Sequence, residues 1–198
     1  MDNAIYKLAY DILDTGGLRV RDFGSEVEFL TTKEFNADFI KNHDIHAILA
    51  HTNDQCKTYN DLYRFANYGV SRNTSPLKGE KLMCLRNTAN YNTDSAIYNG
   101  MRYVLTDDSS VPNGTLCLPF GFGRFNTSLT KFNKDLPYDR QQDTYQFDYG
   151  YAMTVHKSQG SEYDNIAFIV PKKMKNDYIN FLYTAVTRAK KKLYVVLP

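Results

Sequence analysis

Four short runs constrain this chain more than anything else in it, because they are apolar on successive residues and not on alternate ones. His46–Ala50 reads HAILA, Tyr151–Val155 reads YAMTV, Ile166–Val170 reads IAFIV and Leu193–Leu197 reads LYVVL. A strand with one wet face alternates. A strand dry on both faces does not, so such runs belong in a parallel sheet covered by helices. Segments with helical spacing lie between them. Residues 2–13 place Ile5, Leu8, Ala9 and Ile12 at i, i+3, i+4 and i+7, and Gly16-Gly17 ends the pattern. After Gly24, Val27 and Phe29 alternate as a short strand, and Thr32 is expected to cap a helix through Phe35, Phe39 and Ile40. Asn53 is expected to cap a helix with Cys56, Tyr59, Tyr63 and Ala66 on one stripe, and a last helix is expected over about 177–190. The fold class is α/β.

Residues 79–148 break this pattern. Helical spacing disappears, and Gly, Pro, Asn and Asp recur between the short runs Lys81–Leu85, Met101–Thr106 and Gly114–Leu118. Asn99-Gly100 and Asn113-Gly114 are hairpin signals. A small antiparallel β unit over 79–148 is therefore expected, inserted between two parts of the α/β domain, 1–78 and 149–198. Within it, 120–143 is mostly polar and reads as a long mobile loop.

Composition removes several classes of function. With 42% apolar and 23% charged residues, the 198-residue chain is an ordinary globular one, not a disordered one. No stretch approaches the roughly 18 uncharged apolar residues of a membrane span, so no membrane partner is expected. Cys56, Cys84 and Cys117 are odd in number, far apart and in no CxxC pair, which argues against a disulfide framework or a metal site and for a reducing cytoplasm. The formal charge of +2 hides a division: 151–198 carries +5 and 1–150 carries −3. None of the eleven glycines precedes a lysine, so the chain has no GxxxxGK[ST] phosphate loop.

Two stretches carry candidate chemistry. Thr154-Val155-His156-Lys157-Ser158-Gln159-Gly160-Ser161-Glu162 follows a buried strand, and the carboxyl ends of strands in an open α/β sheet are where ligands bind. Its hydroxyls, Lys157, Gln159 and Gly160 suit phosphates, although an ordinary polar turn would look the same. On the expected last helix, Leu182, Ala185, Val186 and Ala189 line the buried stripe with Arg188 beside it, a fixed cation or else a surface arginine in a solvated ion pair. Lys190-Lys191-Lys192 also suits the negative end of a helix dipole.

Taken together, YAMTVHKSQGSEYDNIAFIV and NFLYTAVTRAKKKLYVV resemble motifs V and VI of the superfamily 1 DNA helicases, in their RecD-like and phage Dda-like version. AILAHTNDQCKTYNDLYRF resembles the strand and helix that open the second motor domain of that family, and LKGEKLMCLRNTANY with IYNGMRYVL resembles the entry to its inserted β-barrel. The resemblance implies a RecA-like sheet with an inserted antiparallel barrel. It implies that Arg188 is the finger reaching the γ-phosphate, that Glu162 contacts the ribose, and that Gln159 and Gly160 lie near the phosphates. Thr154, His156 and Lys157, with Thr52 and Asn53, match positions that touch single-stranded DNA, though Asn53 also suits a plain helix cap. ATP with Mg2+ is expected to be held mainly by an N-terminal motor domain of the same protein, with the chain a monomeric domain of a longer enzyme in a bacterial or phage-infected cell. Translocation is expected to run 5′ to 3′, in replication, recombination or repair. The alternative is a non-enzymatic helicase-like module that binds nucleic acid or a protein partner.

Overall fold

A computed structural model describes residues 3–71, 74–85, 98–110, 115–121, 123–128, 146–172, 174 and 177–198. In chain order the elements are α1 (Ala4–Thr15), β1 (Val27–Thr31), α2 (Ala37–Asn42), β2 (Ala47–Ala50), α3 (Asn53–Tyr68), β3 (Lys81–Cys84), β4 (Arg102–Val104), β5 (Thr115–Phe120), β6 (Gly123–Ser128), β7 (Phe147–Tyr149), β8 (Ala152–Thr154), β9 (Tyr163–Ile169), α4 (Tyr178–Val186) and β10 (Ala189–Leu197). They fall into two units, Met1–Ser71 with Tyr151–Pro198, and Arg72–Gly150.

The first unit is built on one parallel sheet in the order β1-β10-β9-β2-β8. The continuous apolar runs occupy it as their composition requires: Ala47, Ile48, Leu49 and Ala50 are all buried, as are Ile166–Ile169 and Leu193–Val196. On one face, Ile48, Ala50, Ala152, Ala167, Ile169 and Val196 pack with Phe35, Ile40 and Cys56, and Tyr59, Leu62 and Tyr63 of α3 close that core. Helices α1 and α4 pack on each other and on β10, burying Leu8, Ile12, Leu182, Ala185 and Val186. This is the α/β, RecA-like architecture that the sequence suggests.

Several local expectations change. Thr31, not Thr32, anchors the turn before α2: the Glu34 carboxylate accepts from the Thr31 amide at 2.7 Å and from its hydroxyl at 2.8 Å. Those bonds hold Glu34 in the carboxylate form, pulling its pKa below the ordinary range. The helix starts only at Ala37, where Asn36 Oδ1 accepts from the Phe39 amide. Asn53 is likewise inside its helix and not its cap. Thr52 Oγ1 accepts from the Gln55 amide at 3.2 Å while Gln55 Oε1 accepts from the Thr52 amide at 3.2 Å, a reciprocal capping box. Helix α4 stops at Val186, four residues short of the expected end, because pairing with β9 begins at once: Ala189 is opposite Tyr163. Arg188 is therefore in a two-residue link, and Lys190–Lys192 belong to a strand.

In the second unit, β3 lies between β4 and β7, and β5 pairs with β6, all antiparallel. The expected loop 120–143 begins with strand β6, whose residues pair one for one with β5. Residues 129–143, and the Asn113-Gly114 signal, lie outside the described residues. Gly150 ends the unit where a Cβ would meet the Leu82 and Met83 backbone at 3.2 Å.

The return into the parallel sheet is held by one amide. Asn60, 1% exposed, accepts from the Tyr151 amide at 3.1 Å and the Ala152 amide at 2.7 Å, and Tyr63 stacks on the Tyr151 ring with centroids 4.0 Å apart. Asn60→Leu keeps the volume and removes the acceptor for two buried N–H groups. At about 1–3 kcal/mol each, it should lower the unfolding free energy by roughly 2–6 kcal/mol in urea titrations. Thr52→Ala should cost about 1 kcal/mol in the same measurement through loss of the cap, and Asn53→Ala should stay within about 0.5 kcal/mol.

Candidate functional site

The stretch 154–162 was expected at the carboxyl ends of the strands. Only its first half is there. Strands β8 and β9 both run parallel to β2, with Thr154 level with Ala50 and Ile166 level with Ala47. The connection between them leaves the carboxyl end of β8 and enters the amino end of β9. At 3.3 Å per residue, its two ends differ in height by about 20 Å. The sequence shows a polar stretch but not the length of sheet it must traverse.

The upper cluster gathers around the ends of β2 and β8. Thr154 is half-buried, with Oγ1 accepting from the Lys157 amide at 3.4 Å. His156 and Lys157 are exposed in a single 3-10 turn, His156–Ser158, which buried Ser158 fastens by donating its hydroxyl to the Val155 carbonyl at 2.7 Å. The neighbouring strand end supplies exposed Thr52 and Asn53, and the Val155 amide donates to the Ala50 carbonyl. His51 was not singled out from the sequence. Its ring packs edge-on to Phe181 at 5.3 Å, and His156 lies 6.4 Å from the same ring. The available signal was a histidine at the end of a buried run, matching His156 just past the end of β8.

The lower cluster lies at the amino ends of β9 and β10. Gly160 has φ +81, a conformation that side chains disfavour, and it turns the connection toward β9. Gln159, Gly160, Ser161 and Glu162 are all exposed there. Arg188 is half-buried and spread over three neutral oxygens: Nε donates to the Thr184 carbonyl at 3.1 Å, Nη1 to the Ser161 carbonyl at 3.3 Å, and Nη2 to Thr187 Oγ1 at 3.2 Å. Thr184, Thr187 and Ser161 were not expected as its supports, since carbonyl acceptors leave no trace in composition. Among the described residues no carboxylate pairs with Arg188.

The adjacent lysines differ in this respect. Lys190 pairs with Glu162 at 3.3 Å, Lys191 with Asp164 at 2.7 Å, and Lys192 with Glu28 at 2.9 Å. The hydrogen bond from Lys191 draws the Asp164 pKa down, and the same bond lifts that of Lys191. The helix-dipole role considered for this run is absent, because its residues alternate along β10 and face acids of β1, β9 and the β9 entry. Within 188–192 the three lysines are thus each matched to an acid, and Arg188, among the described residues, is not.

Residues 149–196 match the family model of the UvrD-like helicase C-terminal domain, a segment holding every candidate above except His51, Thr52 and Asn53. Over 127 residues, 60% of this chain, it is 32% identical to protein MJ1519 of Methanocaldococcus jannaschii, of which that is 10%. Over 47 residues, 23% of this chain, it is 49% identical to the RecBCD enzyme subunit RecD of Mycobacterium tuberculosis, of which that is 8%. The fold is similar to a Pif1 helicase from Bacteroides in complex with ADP-AlF3 and ssDNA, with TM-score 0.52 and 15% identity over 98% of this chain and 48% of that one. The chain spans a tenth or less of these curated relatives and about half of that solved structure. Residues 149–196 are thus similar to the UvrD-like helicase C-terminal domain, and the chain shares the fold of about half of a helicase of known structure.

Proposed function

We propose that the chain is the second motor domain of an ATP-dependent DNA helicase, working with an N-terminal motor domain of the same protein. The observation that carries this reading is the Arg188 guanidinium, fixed by three neutral oxygens and free of any carboxylate among the described residues. A cation so held keeps its charge for an anion arriving from outside, and its geometry suits phosphoryl oxygens. In this reading Arg188 is the finger on the γ-phosphate. Exposed Glu162 contacts the ribose once it parts from Lys190, and Gln159 and Gly160 lie beside the phosphates. ATP with Mg2+, held mainly by the other domain, supplies the phosphoryl group that is transferred.

The upper cluster is assigned to single-stranded DNA. The Thr52 and Thr154 hydroxyls, Asn53, His156 and Lys157 offer donors to backbone phosphates, with no carboxylate among them. The connection 155–162 joins the two clusters directly, so a shift of the lower end on nucleotide binding changes the grip at the upper end. That coupling is what translocation needs, in the 5′ to 3′ direction by the RecD-like resemblance. The named relatives support the reading: one is a subunit of the RecBCD enzyme, and the solved Pif1 helicase carries ADP-AlF3 and ssDNA. The inserted 79–148 segment is read as the small barrel of such enzymes, and the protein as a cytoplasmic monomer.

In the full-length protein, Arg188→Ala should lower DNA-stimulated ATP hydrolysis by on the order of 10³ while leaving the Kd for single-stranded DNA within about twofold. Near-normal turnover would remove Arg188 from the nucleotide site. Thr154→Ala, in contrast, should weaken single-strand binding in fluorescence anisotropy and leave ATP affinity unchanged. A parallel loss of both would point to misfolding of the β8 end.

A further inference from the structure

Helix α4 ends on carbonyls that residues 187 and 188 cap. The Tyr183 carbonyl accepts from the Thr187 amide at 3.1 Å, and the Ala185 carbonyl accepts from the Arg188 amide at 3.2 Å. The Thr187 hydroxyl lies 2.9 Å from the Tyr183 carbonyl and 3.1 Å from that of Thr184, so its single proton goes to these oxygens. Only lone pairs are left for the remaining neighbour, which is Arg188 Nη2 at 3.2 Å.

Arg188 meets this arrangement along one edge. Nε and Nη2 share an edge of the guanidinium plane, and there Nε donates to the Thr184 carbonyl at 3.1 Å while Nη2 donates to Thr187 Oγ1. The two acceptors are themselves 3.1 Å apart. They do for the guanidinium what the two oxygens of a carboxylate do in a bidentate pair, but without the negative charge. One bond would let a planar cation swing about it; two bonds on one edge fix its plane. Of the five guanidinium N–H groups, this edge takes two and the Ser161 carbonyl takes a third at 3.3 Å. Among the described residues, one N–H is left over on Nη1 and one on Nη2, and the edge bonds decide where those two point.

We propose that Thr187 is a positioning residue for Arg188. Its hydroxyl, turned by the helix carbonyls so that lone pairs face the guanidinium, aims the two remaining N–H groups at incoming phosphoryl oxygens. The role depends on Arg188 acting as the finger on the γ-phosphate. Serine carries the same hydroxyl and can take the part, whereas valine has the shape of threonine and cannot. A threonine that only ended the helix would act on folding, and its loss would be felt whether or not Arg188 were present.

The test is DNA-stimulated ATP hydrolysis by the full-length protein carrying Thr187→Val, Thr187→Ala or Thr187→Ser, each alone and combined with Arg188→Ala. The valine and alanine variants should each lower kcat by between about tenfold and a hundredfold, the range a misplaced group costs. Their KM for ATP and Kd for single-stranded DNA should stay within about twofold, because the loss is confined to the transition state. The serine variant should keep kcat within about threefold. In the Arg188→Ala background all three should change turnover by less than about twofold, since no guanidinium is left to aim. Near-normal kcat in the valine and alanine variants, with Arg188→Ala strongly impaired, would overturn Thr187 and leave the finger standing. An equal loss in the Arg188→Ala background, or a loss that the serine variant shares, would reduce Thr187 to a helix end and overturn its role as well. Near-normal turnover of Arg188→Ala itself would overturn the finger and Thr187 together.

Discussion

The side-chain amide of Asn60 sets where the chain re-enters the parallel sheet after residue 150. After leaving the first unit at Ser71, the chain spends residues 72–150 elsewhere and must then add a three-residue strand to the edge of a parallel sheet. Three residues of ladder are a weak register signal, since a one-residue slip would exchange the two faces. Asn60 resolves this by bonding two successive amides, Tyr151 and Ala152, from a helix whose own position is fixed by its packing on β2. The register of Ala152, Met153 and Thr154 against Ile48, Leu49 and Ala50 then follows, and so does the height at which Thr154 and His156 emerge. The length of the excursion matters little to this balance, because each doubling of a loop adds only about 0.6 kcal/mol of closure entropy.

Electrostatics divides the same region differently from what a charge count suggests. The net charge of +5 over 151–198 suggests a basic surface. In the fold, Lys190, Lys191 and Lys192 are each matched to an acid from Glu162, Asp164 and Glu28. Exposed pairs of this kind add little stability, but they weaken the local field of Lys190–Lys192 at this end of the sheet. Within this run, Arg188 has no carboxylate partner among the described residues. A single oriented guanidinium among neutralised lysines is suited to recognising one anion at one position, not to attracting nucleic acid generally.

Much of this was legible in the sequence, for identifiable reasons. Buried parallel strands leave continuous apolar runs, and all four runs became strands at or within four residues of their expected limits. Helix α1 followed from its i, i+3, i+4, i+7 stripe, with Gly16 at φ +73 closing it. The errors share a physical origin, in that each depends on a partner that the apolar pattern does not include. Thr52 beats Asn53 as cap because Gln55 folds back on it. Helix α4 yields to β10 because Tyr163 is there to pair. Asn60 looks like an ordinary polar helix position, and only the return of residue 151 makes it the most consequential one. The resemblance to helicase motifs supplies candidate site residues, but their separation into two clusters could not be read from the sequence, because it depends on strand direction.

That separation has a consequence for how the connection 155–162 works. A loop that stays at one end of a sheet can flex without disturbing anything at the other end. This connection cannot, because its upper end is tied by the Ser158 hydroxyl to Val155 and its lower end by the Ser161 carbonyl to Arg188. Between the ties lie only Gln159 and Gly160, and Gly160 is already in the left-handed region. The slack available to absorb a displacement of Arg188 is therefore small. In the proposed role of Arg188, a movement of its guanidinium would therefore reach the 3-10 turn that carries His156 and Lys157.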